Sequence, residues 1–178
     1  MHRLRALSTV SAVRVVIEPY DPAWPTMFDA ERECIGAALG ARALEVHHTG
    51  STSVPGLGAK PIIDITLAVR DTRDEAAYVP ALEAAGYAFV LREPDWFEHR
   101  LLRREPRVVN LHVFSVGCTE IAQMTGFRDW LRAHPEDRDH YERAKRELAR
   151  RDWGEVQDYA DAKTDVVHEI KRRAGLLP

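Results

Sequence analysis

His47-His48-Thr49-Gly50-Ser51-Thr52-Ser53-Val54-Pro55-Gly56-Leu57-Gly58-Ala59-Lys60-Pro61-Ile62-Ile63-Asp64-Ile65 passes from the end of one apolar segment, through a polar turn, into another. Thr49 to Lys60 is rich in Gly, Ser, Thr and Pro and reads as a loop. Pro61 to Val69 is the plainest strand in the chain. Successive side chains of a strand face opposite ways. Ile63, Ile65, Leu67 and Val69 therefore form one face, and Ile62, Asp64, Thr66 and Ala68 the other. That second face carries a single acid among small or apolar positions, and a carboxylate is costly to bury without a partner. Asp64 thus marks either a structural pairing with the loop above it or a working site.

Three features of this stretch point to a phosphate. The small-residue turn at Gly50, Ser51, Thr52 and Ser53 offers backbone N–H groups and hydroxyls suited to phosphate oxygens. Lys60, at the loop's end, can neutralise such a group. Asp64, on the strand that leaves the loop, can hold Mg²⁺ against it. A P-loop does not fit, because Ala59 separates Gly58 from Lys60 and Pro61 leads into a strand instead of a helix. Ser51, Asp64 and His112 are the residue types of a hydrolase triad, yet the nucleophile-elbow pattern is missing. Adjacent strand histidines His47 and His48 point apart and complete no zinc-ligand spacing.

Working outward, Val13 to Ile17 is a short β-branched run expected as a strand. Asp21 and Pro22 read as the cap and first position of a helix over Asp21 to Leu39, which Gly40 ends. Leu44 to His48 is a strand, Asp74 to Ala85 a helix stopped by Gly86, and Tyr87 to Leu91, Trp96 to Arg103 and Val108 to Ser115 three more strands. In the last of these Asn110, His112 and Phe114 share a face. From Thr119 the pattern is helical: Ile121, Met124, Phe127 and Leu131 mark one helix, broken before Pro135. Tyr141, Ala144 and Leu148 mark a second, and Val156, Tyr159, Lys163, Val167 and Ile170 a third, ending near Gly175. The layout is mixed α+β with helices gathered at the C-terminal end, in one domain over residues 13–178 after a flexible extension of residues 1–12.

With 178 residues, 45% hydrophobic and 30% charged, the chain can bury a real core without staples. A net charge of −3 gives no whole-protein attraction to nucleic acid or anionic membrane, and leaves room for a local basic pocket. Of the 25 basic residues only four are lysines, Lys60, Lys145, Lys163 and Lys171. Coding bias is the ordinary explanation, but so few lysines are worth following individually. Cys34 and Cys118 have no metal-motif spacing and suggest no oxidising compartment. No apolar run approaches the roughly 20 residues that span a bilayer, and the start has no signal-peptide core. A cytoplasmic protein without a membrane partner is expected, its oligomeric state left open.

Gly50-Ser51, twelve residues and then Asp64 resembles the opening of the nucleotidyltransferase superfamily signature. The longer run from His48 to Leu57, with Ala59 to Ile65, resembles the GrpB-like family of that superfamily. Tyr20-Asp21-Pro22-Ala23-Trp24, Leu111-His112-Val113, Phe127-Arg128-Asp129-Trp130-Leu131-Arg132, Tyr141-Glu142-Arg143-Ala144-Lys145 and Tyr159-Ala160-Asp161-Ala162-Lys163 agree with it. The resemblance implies a nucleotidyltransferase-like fold, a short mixed sheet flanked by helices with the site at one sheet edge. It also implies that Gly50 and Ser51 hold phosphates and that Asp64 is a Mg²⁺ ligand. Two positions depart from the active pattern. The second strand acid is replaced by Thr66, and the inward polar residue where a third acid belongs is His112. Imidazole prefers softer metals than Mg²⁺.

His99, Arg100, Arg128, Arg132, Lys145 and Lys163 are candidates for a basic pocket. Tyr141 with Lys145, and Tyr159 with Lys163, are spaced to share helix faces, where a ring can stack on a base while its lysine meets a phosphate. Two expectations follow. One is a Mg²⁺-dependent nucleotidyltransferase with Asp64 and His112 at its catalytic centre. The other is a non-catalytic module that binds a nucleotide or another phosphorylated small molecule. GrpB-like domains beside dephospho-coenzyme A kinase domains add a hint of coenzyme A metabolism to the second.

Overall fold

The computed structural model describes residues 14–177 other than residue 107. The expected extension, residues 1–12, and Val13 lie outside the described residues. The strands are β1 (Glu45–Thr49), β2 (Ile63–Val69), β3 (Ala88–Glu93), β4 (His99–Arg104) and β5 (Val109–Ser115). The helices are α1 (Trp24–Leu39), α2 (Val79–Ala84), α3 (Thr119–Ala133), α4 (Pro135–Leu148), α5 (Val156–Ala162) and α6 (Thr164–Arg173). The strands form one sheet in the order β1-β2-β5-β4-β3. β2 and β5 run parallel and the other neighbours antiparallel. This is the mixed α+β layout with a helical C-terminal part read from the sequence, and the short mixed sheet flanked by helices that the resemblance implies. No helix among the described residues is long and apolar enough to cross a membrane.

Alternation on β2 works as read. Ile63, Ile65, Leu67 and Val69 are buried with Val109, Leu111 and Val113 of β5 and Leu102 of β4. They pack on Trp24, Phe28, Ile35 and Leu39 of α1 and Leu82 of α2. Each such side chain stabilises the fold by about 1.5–3 kcal/mol on leaving water. On the opposite face Ala68 and Phe114 meet Ile121 of α3. Val54 and Leu57 of the polar loop join Leu131, Tyr141 and Ile170, tying that loop to α3, α4 and α6. The C-terminal helices thus stand over the sheet face that carries Asp64.

Several boundaries differ from the sequence expectation. Arg14 to Ile17 form no strand; instead Glu18 makes a single bridge with Ala59. α1 starts at Trp24, because the Asp21 carboxylate accepts from the Ala23 N–H (2.8 Å) and closes a turn before the helix. The segment Asp74 to Ala85 is a 3₁₀ turn at Glu75–Ala77 followed by α2. Tyr78 turns into the core, donating its hydroxyl to the Thr72 carbonyl, and Pro80, which has no N–H to donate, opens α2. β4 begins at His99, since Phe97 and Glu98 have φ of 55° and 51° and belong to the turn. The last helix divides at Lys163 into α5 and α6.

Candidate functional site

β1 ends at Thr49 and the chain turns sharply through Gly50 into a 3₁₀ turn, Ser51–Ser53. Gly50 has φ 66° and ψ −175°, a region essentially restricted to glycine. A Cβ there would lie 2.4 Å from Asp64 Oδ2 and 2.9 Å from Asp64 Cβ. Gly50 is therefore required twice, by its backbone angles and by the carboxylate against it. The three hydroxyls of the turn divide. Ser53 donates to the Gly50 carbonyl (2.5 Å), and Thr52 donates to the Ile62 carbonyl (2.9 Å) with His48 Nε2 beside it (3.1 Å). Both are buried and serve the loop itself. Ser51 alone directs its hydroxyl toward a cation, accepting from Lys145 Nζ at 3.1 Å.

Asp64 pairs with Thr49 on one side and Asn110 on the other in the sheet register. Asn110 Nδ2 donates to Asp64 Oδ1 at 3.0 Å, while Arg103 Nε donates to Asn110 Oδ1 at 3.2 Å and so sets the amide's orientation. His112 Nε2 lies 3.6 Å from the same Oδ1. Burial opposes the Asp64 charge, but His112 and the Asn110 amide outweigh it and hold the carboxyl below its ordinary range. His112 is itself held from behind. Glu93 Oε2 accepts from His99 Nδ1 (2.7 Å), which leaves His99 Nε2 to accept from His112 Nδ1 (3.0 Å). His112 thus presents Nε2 to Asp64 and the space above it.

That space is a cavity of about 480 Å³ between the sheet and α3–α6. Its wall includes Gly50, Ser51, Thr52, Asp64, Asn110 and His112, and all four lysines of the chain, Lys60, Lys145, Lys163 and Lys171. Among the described residues Arg103 is the only arginine on this wall and Glu120 the one carboxylate besides Asp64. Lys145 is almost wholly buried, donating to Ser51 Oγ and the Gly58 carbonyl. Burial, then the nearby Lys163 charge, pull its pKa down to about 7. The same two causes, in the same order, lower Lys60. The tyrosines are placed differently from expectation. Tyr141 and Tyr159 are buried, with Lys145 4.8 Å from the Tyr141 centroid, and Lys163 (4.9 Å) and Lys60 (5.3 Å) over Tyr159. Their faces hold these lysines instead of standing open to a base.

Not every residue expected at the site reaches it. Arg100 pairs with Val113 across β4 and β5, and so points to the opposite, core face of the sheet. There Nε donates to Glu75 Oε1 at 2.6 Å and Nη1 to Glu98 Oε2 at 3.2 Å. Replacing Arg100 with methionine is expected to lower stability by about 1–3 kcal/mol and leave ligand affinity unchanged, as denaturant melts and binding titrations would record. His99 lies behind His112, not on the wall. Arg128 donates to the His48 carbonyl (3.0 Å) and borders a smaller adjoining space of about 120 Å³ shared with Gly50, Ser51, Asp64 and Lys163. Arg132 is engaged with the Ser53 carbonyl. Sequence reasoning did not assign Asn110, Arg103, Glu120 or Lys171 to the site, although it put Asn110 on the His112 face of its strand and marked Lys171 as one of four lysines to follow. Alternation along β5 was the available signal for Asn110, and rarity was the signal for Lys171.

The donors around Asp64 do not suit a pair of Mg²⁺ ions. Thr66 is fully buried, its hydroxyl 3.0 Å from that of Thr49 and 3.3 Å from the Met124 sulfur. Among the described residues no group of three or more His, Cys, Asp or Glu is placed to hold a metal. Asp64 Oδ1 already meets Asn110 and His112, whereas no hydrogen bond to Oδ2 occurs among the described residues. One carboxylate oxygen together with ligand phosphates is a fitting set for a single Mg²⁺.

Known proteins agree with this architecture. A UPF0157 protein of Halalkalibacterium halodurans is 56% identical over 161 residues, covering 90% of this chain and 83% of that protein. The crystal structure of conserved protein GrpB from Enterococcus faecalis superposes with a TM-score of 0.77 at 30% identity, covering 89% of this chain and 96% of that one. A dephospho-CoA kinase of Mycolicibacterium paratuberculosis is 30% identical, with 94% of this chain aligned to 48% of that protein. The family described as GrpB protein matches residues 14–173. With that match running from ahead of α1 to the end of α6, the chain belongs to the GrpB protein family.

Proposed function

We propose that the cavity binds a nucleotide or another phosphorylated small molecule, with its phosphate at Gly50 and Ser51 and the lysines around it. The observation that carries this reading is the convergence of all four lysines on one cavity in a chain whose other 21 basic residues are arginines. With Arg103 they set five basic side chains against Asp64 and Glu120, inside a protein of net charge −3. A field so opposed to the whole molecule attracts an anion. Lys145, with its pKa near 7, gains a countercharge when an anion arrives. Binding then favours its protonated form, so affinity falls as pH rises above 7.

Mg²⁺, if it accompanies the ligand, would be held by Asp64 Oδ2 and would neutralise phosphate charge. Nucleotidyl transfer is the second reading, favoured by that open carboxylate oxygen beside the Gly-Ser turn. Thr66 and the Asn110 hydrogen bond already made to Oδ1 favour binding without turnover.

The test is calorimetry with ATP, GTP, CTP, UTP and dephospho-coenzyme A, with and without Mg²⁺ or Mn²⁺, alongside an assay of pyrophosphate. Dephospho-coenzyme A is included because of the dephospho-CoA kinase relative. The expected result is binding of at least one ligand, weakened roughly tenfold or more by Lys163→Ala, and no pyrophosphate. Pyrophosphate release that Asp64→Ala removes would establish the enzyme reading instead. No binding of any ligand would sink both.

A further inference from the structure

One carboxylate on the cavity wall has no part in holding phosphate. Glu120 lies in the first turn of α3 and is buried, its side chain 10% exposed. Lys171 of α6 is the nearest cation among the described residues, 3.7 Å away and beyond hydrogen-bond distance. Lys171 Nζ instead donates to Gln123 Oε1 at 3.0 Å. Among the described residues no donor hydrogen-bonds to the Glu120 carboxylate. Burial raises its pKa, an effect only partly offset by Lys171. Its oxygens face the cavity without a donor from the described residues, and an anion alone there would add repulsion.

The helix faces around Glu120 have an order. Glu120, Met124 and Phe127 follow one stripe of α3, and Val167 and Lys171 one stripe of α6, all on the cavity wall. Phe127 also borders the space beside Gly50 and Ser51, so the stripe leads from the Gly-Ser turn, past apolar side chains, to a carboxylate. Such an order suits a molecule with phosphate at one end, a ring in the middle and hydrogen-bond donors at the other.

Resting on the reading of the cavity as a phosphate site, we propose that Glu120, with Lys171 beside it, forms a second subsite that accepts hydrogen bonds from hydroxyl or amino groups on the non-phosphate part of the ligand. The ligand class is then a nucleoside phosphate or a similar ring-bearing phosphate, as opposed to an inorganic one.

Two probes separate the ends of the cavity: the tightest-binding nucleoside triphosphate and inorganic tripolyphosphate, titrated calorimetrically into wild type, Glu120→Ala and Glu120→Gln. The glutamine variant keeps the side chain's size in case the alanine variant folds poorly, and melting curves check both. The nucleotide is expected to weaken roughly tenfold or more in Glu120→Ala, while tripolyphosphate binds as well or better, because a negative charge has gone. Equal weakening of both probes, or an unchanged nucleotide affinity, would overturn the subsite. So would wild-type protein that binds tripolyphosphate and no nucleotide, although the phosphate reading would then stand. Wild-type protein that binds neither would overturn both.

Discussion

Gly50→Ala is expected to cost roughly 2–6 kcal/mol of stability, from about 1–3 for the backbone angles and 1–3 for overpacking, and to abolish ligand binding. The backbone at φ 66° and ψ −175° disfavours any side chain, and the new methyl would sit 2.4 Å from Asp64 Oδ2. Relief requires moving either the turn or the carboxylate, and both belong to the candidate site. A double-mutant cycle separates the two parts of the cost. In an Asp64→Gly background the steric part is gone and only the backbone part remains, so the second mutation should be cheaper there by about 1–3 kcal/mol. Urea melts of the four proteins measure this. Equal costs in both backgrounds would show that the carboxylate does not press on the turn.

The second large effect is acid sensitivity at mild pH. His48 stacks on Phe28, with ring centroids 4.7 Å apart, and its pKa falls from 6.5 to about 4. Burial is the main cause, with Arg132 and Arg128 adding to it and Asp64 opposing. His99, buried among Trp96, Phe114 and His112, is lowered too, by burial first and then by the charge of His112, against Glu93. The unfolded chain binds protons to these rings more readily than the folded one between pH 6.5 and about 4. Their contribution is whole above 6.5 and is lost as pH falls through that window. From pH 7 to pH 5, His48 alone should remove roughly 2 kcal/mol. Glu120, whose pKa is raised, works in the opposite direction as it protonates. Stability from urea melts across this range should drop steeply in wild type and less steeply in His48→Gln. A flat profile above pH 5 would contradict the burial argument.

The central strand was legible because alternation and apolarity coincide on β2, and the two faces of Ile63 to Val69 lie as read. The loop before it was legible by composition. What its hydroxyls do was not, since Ser53 and Thr52 bond within a turn whose shape depends on Gly50. Arg100 could have been separated from His99 by the same rule that separates His47 from His48, because neighbours on a strand point apart. Glu120 and Lys171 could not have been paired from sequence. They come from helices far apart in the chain, and which of their faces meets the sheet is fixed only by tertiary packing. Lys145 and Lys163 were legible as candidates through the resemblance, whereas their shared cavity was not. The helix start at Trp24 escaped because Asp21 can equally cap a helix or close a turn.

The parallel pairing of β2 with β5 joins Ile63 to Val109 across the whole of α2, β3 and β4. Contacts so distant along the chain carry a large loop-closure cost and are slow to form, while the β3–β4–β5 meander can assemble locally. Asp64 meets Asn110 and His112 only through that late pairing. The cavity floor is therefore expected to be among the last parts of the molecule to form during refolding. A compact intermediate with its meander formed would have no binding site, so a ligand should slow unfolding while leaving the refolding rate as it was.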